Sequence, residues 1–316
     1  MIHVLVPREQ DWAFVNYLAG HGAGLAGRMR VLHYESLPER RTFERGTWVF
    51  SALDQLGPGM ERLVRALAGR LDGKPGIRLF NDPRRTLLRH DLLAALASRG
   101  LNGFRVVRAG APWETLRYPV FVRAERNHGG NISPLLRDPK EVRAWLGRAV
   151  VQGYDFADLL VAEFHDTASP EGDYRKYAAF IVGERILPRS LACGRSWMLK
   201  HEHTEFSEGL LLEERAYLHE DPHAAQLAEV VRLAGVDYGR IDYAIDRGRV
   251  QTWEINLNPT IGRSPGRRRA PFPAELEPLR DANREFFYRN FNAAWEAYAG
   301  SVEGAPVAVS MDAELI

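Results

Sequence analysis

The chain holds one cysteine, Cys193, in 316 residues, so no disulfide framework and no thiolate zinc site can be built within it. Charge of either sign is not in excess: 42 Lys and Arg face 41 Asp and Glu, a formal net charge of +1. The positive surplus that marks a general nucleic-acid binder is therefore missing. No apolar run approaches the roughly 18–20 residues that span a bilayer. The opening residues, Met1-Ile2-His3-Val4-Leu5-Val6-Pro7, lack the basic start and small-residue cleavage site of an export signal. Together these absences predict a cytoplasmic protein with neither a membrane nor a nucleic-acid partner. No internal repeat is present, and nothing in the sequence speaks to oligomeric state. What remains is ordinary globular composition, 45% apolar and 26% charged, at a length that divides into two or three units.

Apolar runs at 2–6 and 48–52 read as strands. Helical spacing lies between them at 11–19, through Trp12, Val15 and Leu18, and after them at 60–71, through Leu63, Val64, Leu67 and Leu71. This alternation predicts a small α/β unit over 1–78. A strand at 77–80 runs into Asn81-Asp82-Pro83, read as a helix cap with proline at the first helical position and the helix continuing to Gly100. Further strands are expected at 119–124, 159–164 and 177–187. Helices are expected at 138–151 behind Pro139, at 222–233 and at 281–298. The stretches 21–46, 201–215 and 262–275 read as specificity loops, and the residues from Ser301 as a frayed tail.

Two segments carry chemistry. Arg240-Ile241-Asp242-Tyr243-Ala244-Ile245 and Gln251-Thr252-Trp253-Glu254-Ile255-Asn256-Leu257-Asn258 both alternate with period two. A three-residue connection, Arg247-Gly248-Arg249, would pair Asp246 with Val250, which sets Asp242 against Glu254 and Arg240 against Asn256. Ile241, Tyr243, Ile245, Trp253, Ile255 and Leu257 then form a core face. Arg240, Asp242, Glu254, Asn256 and Asn258 form the other. Opposed residues on antiparallel strands lie about 4.5–5.5 Å apart at Cα, a separation at which like charges repel. Two descriptions fit: a solvated face of an amphipathic hairpin, or a site where a hard divalent cation bridges the carboxylates, with Asn256 as a neutral oxygen ligand.

The stretch Gly239-Arg240-Ile241-Asp242-Tyr243, followed by Trp253-Glu254-Ile255-Asn256-Leu257-Asn258-Pro259, resembles the metal strands of the ATP-grasp superfamily, in particular the D-alanine–D-alanine ligase and ribosomal-protein glutamate ligase types. The resemblance runs in order over about residues 77–262. It implies an α+β ATP-grasp fold: an N-terminal α/β unit at 1–78, a first lobe with a phosphate loop at 79–164, a second lobe with the metal hairpin at 165–300, and a flexible tail at 301–316. It implies that Asp242, Glu254 and Asn256 hold one or two Mg2+ ions (with Mn2+ as a substitute) against the phosphates of ATP, and that Arg240 stabilises an oxyanion. Arg89 and Arg123 stand where relatives carry phosphate-binding lysines, which exchanges a point charge for a fork. Gly129 and Gly130, within Asn127-His128-Gly129-Gly130-Asn131, resemble the mobile phosphate loop. Glu163, Phe164 and His165 resemble the hinge that reads adenine, Lys176 stands near the ribose position, and Lys200 resembles the lysine brought to the γ-phosphate.

The function implied is an ATP- and Mg-dependent carboxylate–amine ligase working through an acyl phosphate on small-molecule or peptide carboxylates and amines. Two alternatives stay open: a phosphotransferase on the same scaffold, and a nucleotide-binding regulatory protein without turnover. Other features are read plainly. His201 with His203, and His219 with His223, lack a third ligand for a metal. Cys193 reads as a buried inert thiol, and the basic run 263–269 as a solvated loop or a sensor of substrate anions.

Overall fold

The computed structural model describes residues 1–126, 130–200, 203–262 and 272–309. Four strands, β1 (Ile2–Val6), β2 (Met29–His33), β4 (Gly46–Phe50) and β5 (Ile77–Phe80), form a parallel sheet in the order β2-β1-β4-β5. Both faces of a parallel sheet are covered, which is why β1 and β4 are buried at every position. Helices α1 (Trp12–Leu18) and α2 (Pro58–Leu71) belong to this unit. The expected apolar stripe of α2, Leu63, Val64, Leu67 and Leu71, is the face it buries.

A three-stranded antiparallel sheet follows, β6 (Val106–Arg108), β8 (Leu159–Glu163) and β7 (Val120–Ala124), ordered β6-β8-β7. Helix α4 (Pro139–Val151) packs Val142, Leu146 and Ala149 against Val120, Val122, Leu159 and Val161. Its start is legible in the sequence, because the Asp138 carboxylate accepts the Glu141 N–H at 2.9 Å and Pro139 fills the first turn. Helix α3 (Arg89–Ser98) buries Leu92, Leu93 and Leu96. It begins six residues after Pro83 rather than at it. Thr86 donates to the Gly235 carbonyl and Leu87 N–H to Ala234, so the intervening turn is used to dock another helix end.

The largest sheet is antiparallel, ordered β10-β9-β11-β12, from β9 (Tyr174–Val182), β10 (Arg185–Gly194), β11 (Tyr238–Asp246) and β12 (Arg249–Asn256). Ala179, Ile181, Ile241 and Tyr243 on one face share a core with Tyr217 of α5 (Glu208–Glu220) and with Leu227 and Val230 of α6 (Ala224–Ala234). Phe180, Val182 and Tyr238 on the other meet Phe287, Phe291 and Trp295 of α7 (Glu277–Glu296). Helix α5 occupies part of a stretch read as a loop. Its N-cap is Ser207, whose hydroxyl accepts the Leu210 N–H.

Several joints tie the α/β unit to the rest, of which the first is Asn81 and the second the chain's last described strand. Asn81, buried and in the left-handed region at φ 54°, accepts the N–H groups of Asp237 and Tyr238 and donates to the carbonyls of Phe50 and Tyr238. Asparagine tolerates that backbone because its short amide bonds locally. The second joint corrects an expectation. The tail from residue 301 is not frayed: β13 (Val307–Ala308) pairs antiparallel with β3 (Thr42–Phe43), and Val309 is buried beyond it. Residues 310–316 lie outside the described residues.

Candidate active site

The hairpin delivers the expected opposition by a different route. Its connection is two residues, Arg247 (φ 49°) and Gly248 (φ 77°), which pairs Asp246 with Arg249. A bulge at Trp253 then absorbs one residue, so Asp242 still lies across from Glu254 and Arg240 across from Asn256. Trp253 is therefore the bulged residue, half-buried against Phe104 with ring centroids 5.2 Å apart. On the other side of β11, Asp242 lies across from Ala178, a small buried side chain.

Each carboxylate faces cations. Asp242, 4% exposed, accepts from Arg240 Nε at 2.6 Å and Nη2 at 3.0 Å, and Lys176 Nζ stands 3.6 Å away. Glu254 Oε2 accepts from Arg89 at 2.6 Å and Arg123 at 2.8 Å. Arg89 is fixed further by the Ala124 and Glu125 carbonyls at 3.0 and 2.6 Å. Arg123 is buried, and its Nε has no hydrogen-bond partner. Burial and the neighbouring Arg89 charge push the Arg123 pKa down to about 10, against the pull of Glu254. Arg240 moves upward: burial opposes its charge, but the Asp242 carboxylate outweighs it. Four cations against two carboxylates leave a positive excess at the floor of the cleft, which a polyphosphate would match.

Two segments meet beside β7, where Asn131 forms a bridge with Arg123. Gly130 has φ 104°, and a Cβ on it would fall 3.2 Å from Lys200 Cε. The sequence thus names two residues, Gly130 and Lys200, that the fold brings into contact. Gly129 lies outside the described residues, with Asn127 and His128. The Phe164 ring packs edge-on against Trp197 at 5.6 Å, and Trp197 also packs against Phe121 at 5.4 Å. Phe121 shares a strand face with Arg123, two residues on. Phe121, Trp197 and Phe164 thus form an aromatic cluster beside the strand that carries Arg123. Trp197 and Phe121 were missed from sequence because their contacts cross between β7, the hinge and the loop after β10.

Two hinge side chains face elsewhere. The Glu163 side chain is fully buried, its oxygens accepting Arg105 N–H at 2.9 Å, Arg105 Nε at 2.9 Å, Arg117 N–H at 2.7 Å and Arg117 Nη2 at 2.8 Å. Burial works against its charge, but the Arg117 and Arg105 donors prevail and hold its pKa at about 2. The Glu163 carboxylate is thereby committed within its own lobe. His165 turns toward the turn of the β11–β12 hairpin, its Nε2 3.0 Å from Asp246 Oδ2. Cys193 is half-buried, and burial pushes its thiol pKa up, as for an inert thiol. The run 263–269 and His201 lie outside the described residues.

Asp242, Glu254 and Asn256 fit a hard cation by donor type, since all three present oxygen from one face of the hairpin. Asn256 Oδ1 already accepts the Asn258 N–H at 2.9 Å, which leaves a second lone pair. Among the described residues no three His, Cys, Asp or Glu side chains gather as a metal site. Two carboxylates and an amide therefore call for ligand oxygens from a phosphate to complete a Mg2+ shell. Among the described residues no helix is long and apolar enough to cross a membrane.

No protein-family model matches the chain, and no curated protein does. Solved structures share its architecture. The D-alanine–D-alanine ligase from Bacillus anthracis complexed with ATP aligns with a TM-score of 0.54 at 12% identity, over 94% of this chain and 96% of that one. A second crystal structure of that ligase aligns with a TM-score of 0.52 at 13% identity, over 94% and 96%. The likeness extends well beyond the 77–262 that carries the sequence resemblance, and takes in the N-terminal unit. This chain has the α+β ATP-grasp fold.

Proposed function

We propose that this chain is an ATP- and Mg2+-dependent ligase that joins a carboxylate to an amine on small-molecule or peptide substrates. The observation that carries the reading is the opposition of Asp242 and Glu254 in a cleft ringed by Arg89, Arg123, Arg240 and Lys176. Solvated polar faces of hairpins do not keep a carboxylate 4% exposed with three buried or half-buried arginines around it and its opposite number. The ATP bound by the structural relative from B. anthracis supports a nucleotide in the same cleft.

Phosphate oxygens would draw the forks of Arg89 and Arg123 from Glu254, freeing its oxygens. Asp242, Glu254 and Asn256 would then hold Mg2+, which neutralises phosphate charge when bound. Attack of the substrate carboxylate on the γ-phosphate releases ADP and leaves an acyl phosphate; attack of the amine then releases phosphate and forms the amide. The protein's share is positioning and charge neutralisation. Arg240, beside Asp242, supplies donors to the oxyanion of the second step. Lys200, packed against Gly130, would add a positive charge for the γ-phosphate.

One observation favours a second reading, a nucleotide-binding protein without turnover: Glu254 already carries two arginines. The experiment that separates them measures ADP release at saturating Mg-ATP across a panel of amino acids, dipeptides and small carboxylates. Asp242→Asn is expected to lower substrate-dependent release by about a hundredfold or more. Unchanged release in that variant removes the proposed site, and tight Mg-ATP binding with no release across the panel establishes the second reading.

A further inference from the structure

Strand β7 and the β11–β12 hairpin are linked directly, by the forks of Arg89 and Arg123 on Glu254, and a second time through the N-terminal α/β unit. The second link is built of side-chain amides. It starts at Asn256, whose Oδ1 accepts the Asn258 N–H at 2.9 Å. Asn258 uses both ends of its own amide: Oδ1 accepts the Ser51 hydroxyl at 3.3 Å, and Nδ2 donates to the Gln10 carbonyl at 3.0 Å. Gln10 Nε2 donates to Gln55 Oε1 at 3.3 Å. Gln55 Nε2 then donates to the Arg126 carbonyl at 2.7 Å, and to Asp54 Oδ2 at 3.1 Å.

Arg126 closes the circuit. It follows Ala124 and Glu125, whose carbonyls receive the Arg89 guanidinium at 3.0 and 2.6 Å, and Arg123 lies three residues before it. The Arg126 side chain donates back to the Leu56 carbonyl, and its Nε donates to Asp158 Oδ1 at 3.2 Å. Gln55 and Leu56 thus hold Arg126 by both its carbonyl and its guanidinium. Their own place is set by the parallel sheet, because Ala52, left-handed at φ 53°, turns the chain at the carboxyl end of β4 just before them. The four bonds from Asn256 to Arg126 all join neutral groups. An incoming anion therefore competes for the charged forks on Glu254 and not for the relay.

We infer that Gln55 is a positioning residue of the nucleotide site: it keeps the end of β7, where Arg89 and Arg123 are anchored, in place relative to Asn256 once phosphate has drawn the arginines from Glu254. The direct link is lost at the moment when a triphosphate has to be met from both sides, and the relay through Gln55 keeps tying them together. The inference rests on the nucleotide binding proposed above and holds with or without turnover.

The test is titration calorimetry with Mg2+ and a non-hydrolysable ATP analogue, run beside AMP, which lacks the β- and γ-phosphates. Gln55→Leu is expected to bind the analogue about tenfold more weakly than wild type, with AMP affinity unchanged. Gln55→Glu keeps the shape but sets an acceptor against the Arg126 carbonyl, so it is expected to lose at least as much; a role in packing alone would tolerate it. Gln10→Leu cuts the relay one bond earlier, at a half-buried side chain, and is expected to weaken the analogue in the same direction. The double variant Gln10→Leu/Gln55→Leu is expected to lose no more than Gln55→Leu, because both act through one path. Wild-type analogue affinity in Gln55→Leu and Gln10→Leu, an equal loss of AMP, or additive losses in the double variant overturns the inference, as does a wild type that binds neither nucleotide. The ligase reading fails separately, through absence of ADP release or its persistence in Asp242→Asn.

Discussion

Glu163 and Glu254 are both buried or half-buried carboxylates met by two arginines, and they differ in which donors hold them. The donors to Glu163 include the backbone N–H groups of Arg105 and Arg117, which no ligand can draw away. Those to Glu254 are side-chain forks from β7 and α3, and Arg123 keeps a buried Nε without a partner. Nothing in a sequence distinguishes the two, because both depend on which arginine the fold delivers; hence Glu163 reads there as an adenine contact. Its depressed pKa has a consequence for stability. A carboxylate near 2 in the folded protein and about 4.3 unfolded contributes about 3 kcal/mol at neutral pH. That contribution is present above the unfolded value and is lost as pH falls from about 4.5 toward 2. In Glu163→Gln, denaturant unfolding followed from pH 7 to pH 3 should show lower stability at neutral pH and a shallower acid decline than wild type. Parallel curves would show that Glu163 is not so held.

At the scale of elements, the hairpin was legible because its alternation marks two faces, and a face mismatch is costly wherever one side is core. The turn was not. Pairing counted from a three-residue connection and pairing through a two-residue turn plus a bulge give the same partners at Asp242 and Glu254, so the sequence pattern cannot choose between them. The position of the bulge is decided by Trp253, which packs on Phe104 from the neighbouring lobe. Helix α5 and the late start of α3 escaped for a related reason: Ser207 caps a run with a weak apolar stripe, and Thr86 and Leu87 are claimed by a distant helix end. The observed turn makes its own prediction. Arg247 is exposed and left-handed in a two-residue turn whose preferred pair is Asn-Gly. Arg247→Asn should stabilise the protein by about 0.5–1 kcal/mol, since asparagine tolerates positive φ better than arginine. Chemical denaturation would register this as a higher midpoint with an unchanged slope. A lower midpoint would mean that the Arg247 side chain contributes more than its exposure implies.

The whole molecule is held at both ends of its parallel sheet. At the carboxyl ends of β1 and β4, Asn258 donates to the Gln10 carbonyl and Ser51 donates to the Leu257 carbonyl, so the segment leaving β12 rests in the crevice where open α/β sheets bind ligands. Asn81 performs the matching task at β5. At the opposite ends the last described residues return: β13 pairs with β3, Arg45 donates to the Ala305 carbonyl, and Val309 is 5% exposed. A short proline-containing stretch after a long helix gives no signal of this in sequence, because two residues of strand are too few for periodicity. Deleting residues 301–316 removes a buried valine, worth about 1.5–3 kcal/mol, and a few backbone hydrogen bonds of about 1 kcal/mol each. The expected result is a Tm lower by roughly 5 °C or more. The tail sits at the amino ends of the sheet, away from Asn258 and the carboxylate pair, so Mg-ATP affinity at low temperature should match the full chain. Equal Tm values would show that β13 adds nothing to stability. A loss of nucleotide affinity without a loss of Tm would place the tail's influence at the cleft and contradict the separation of the two ends.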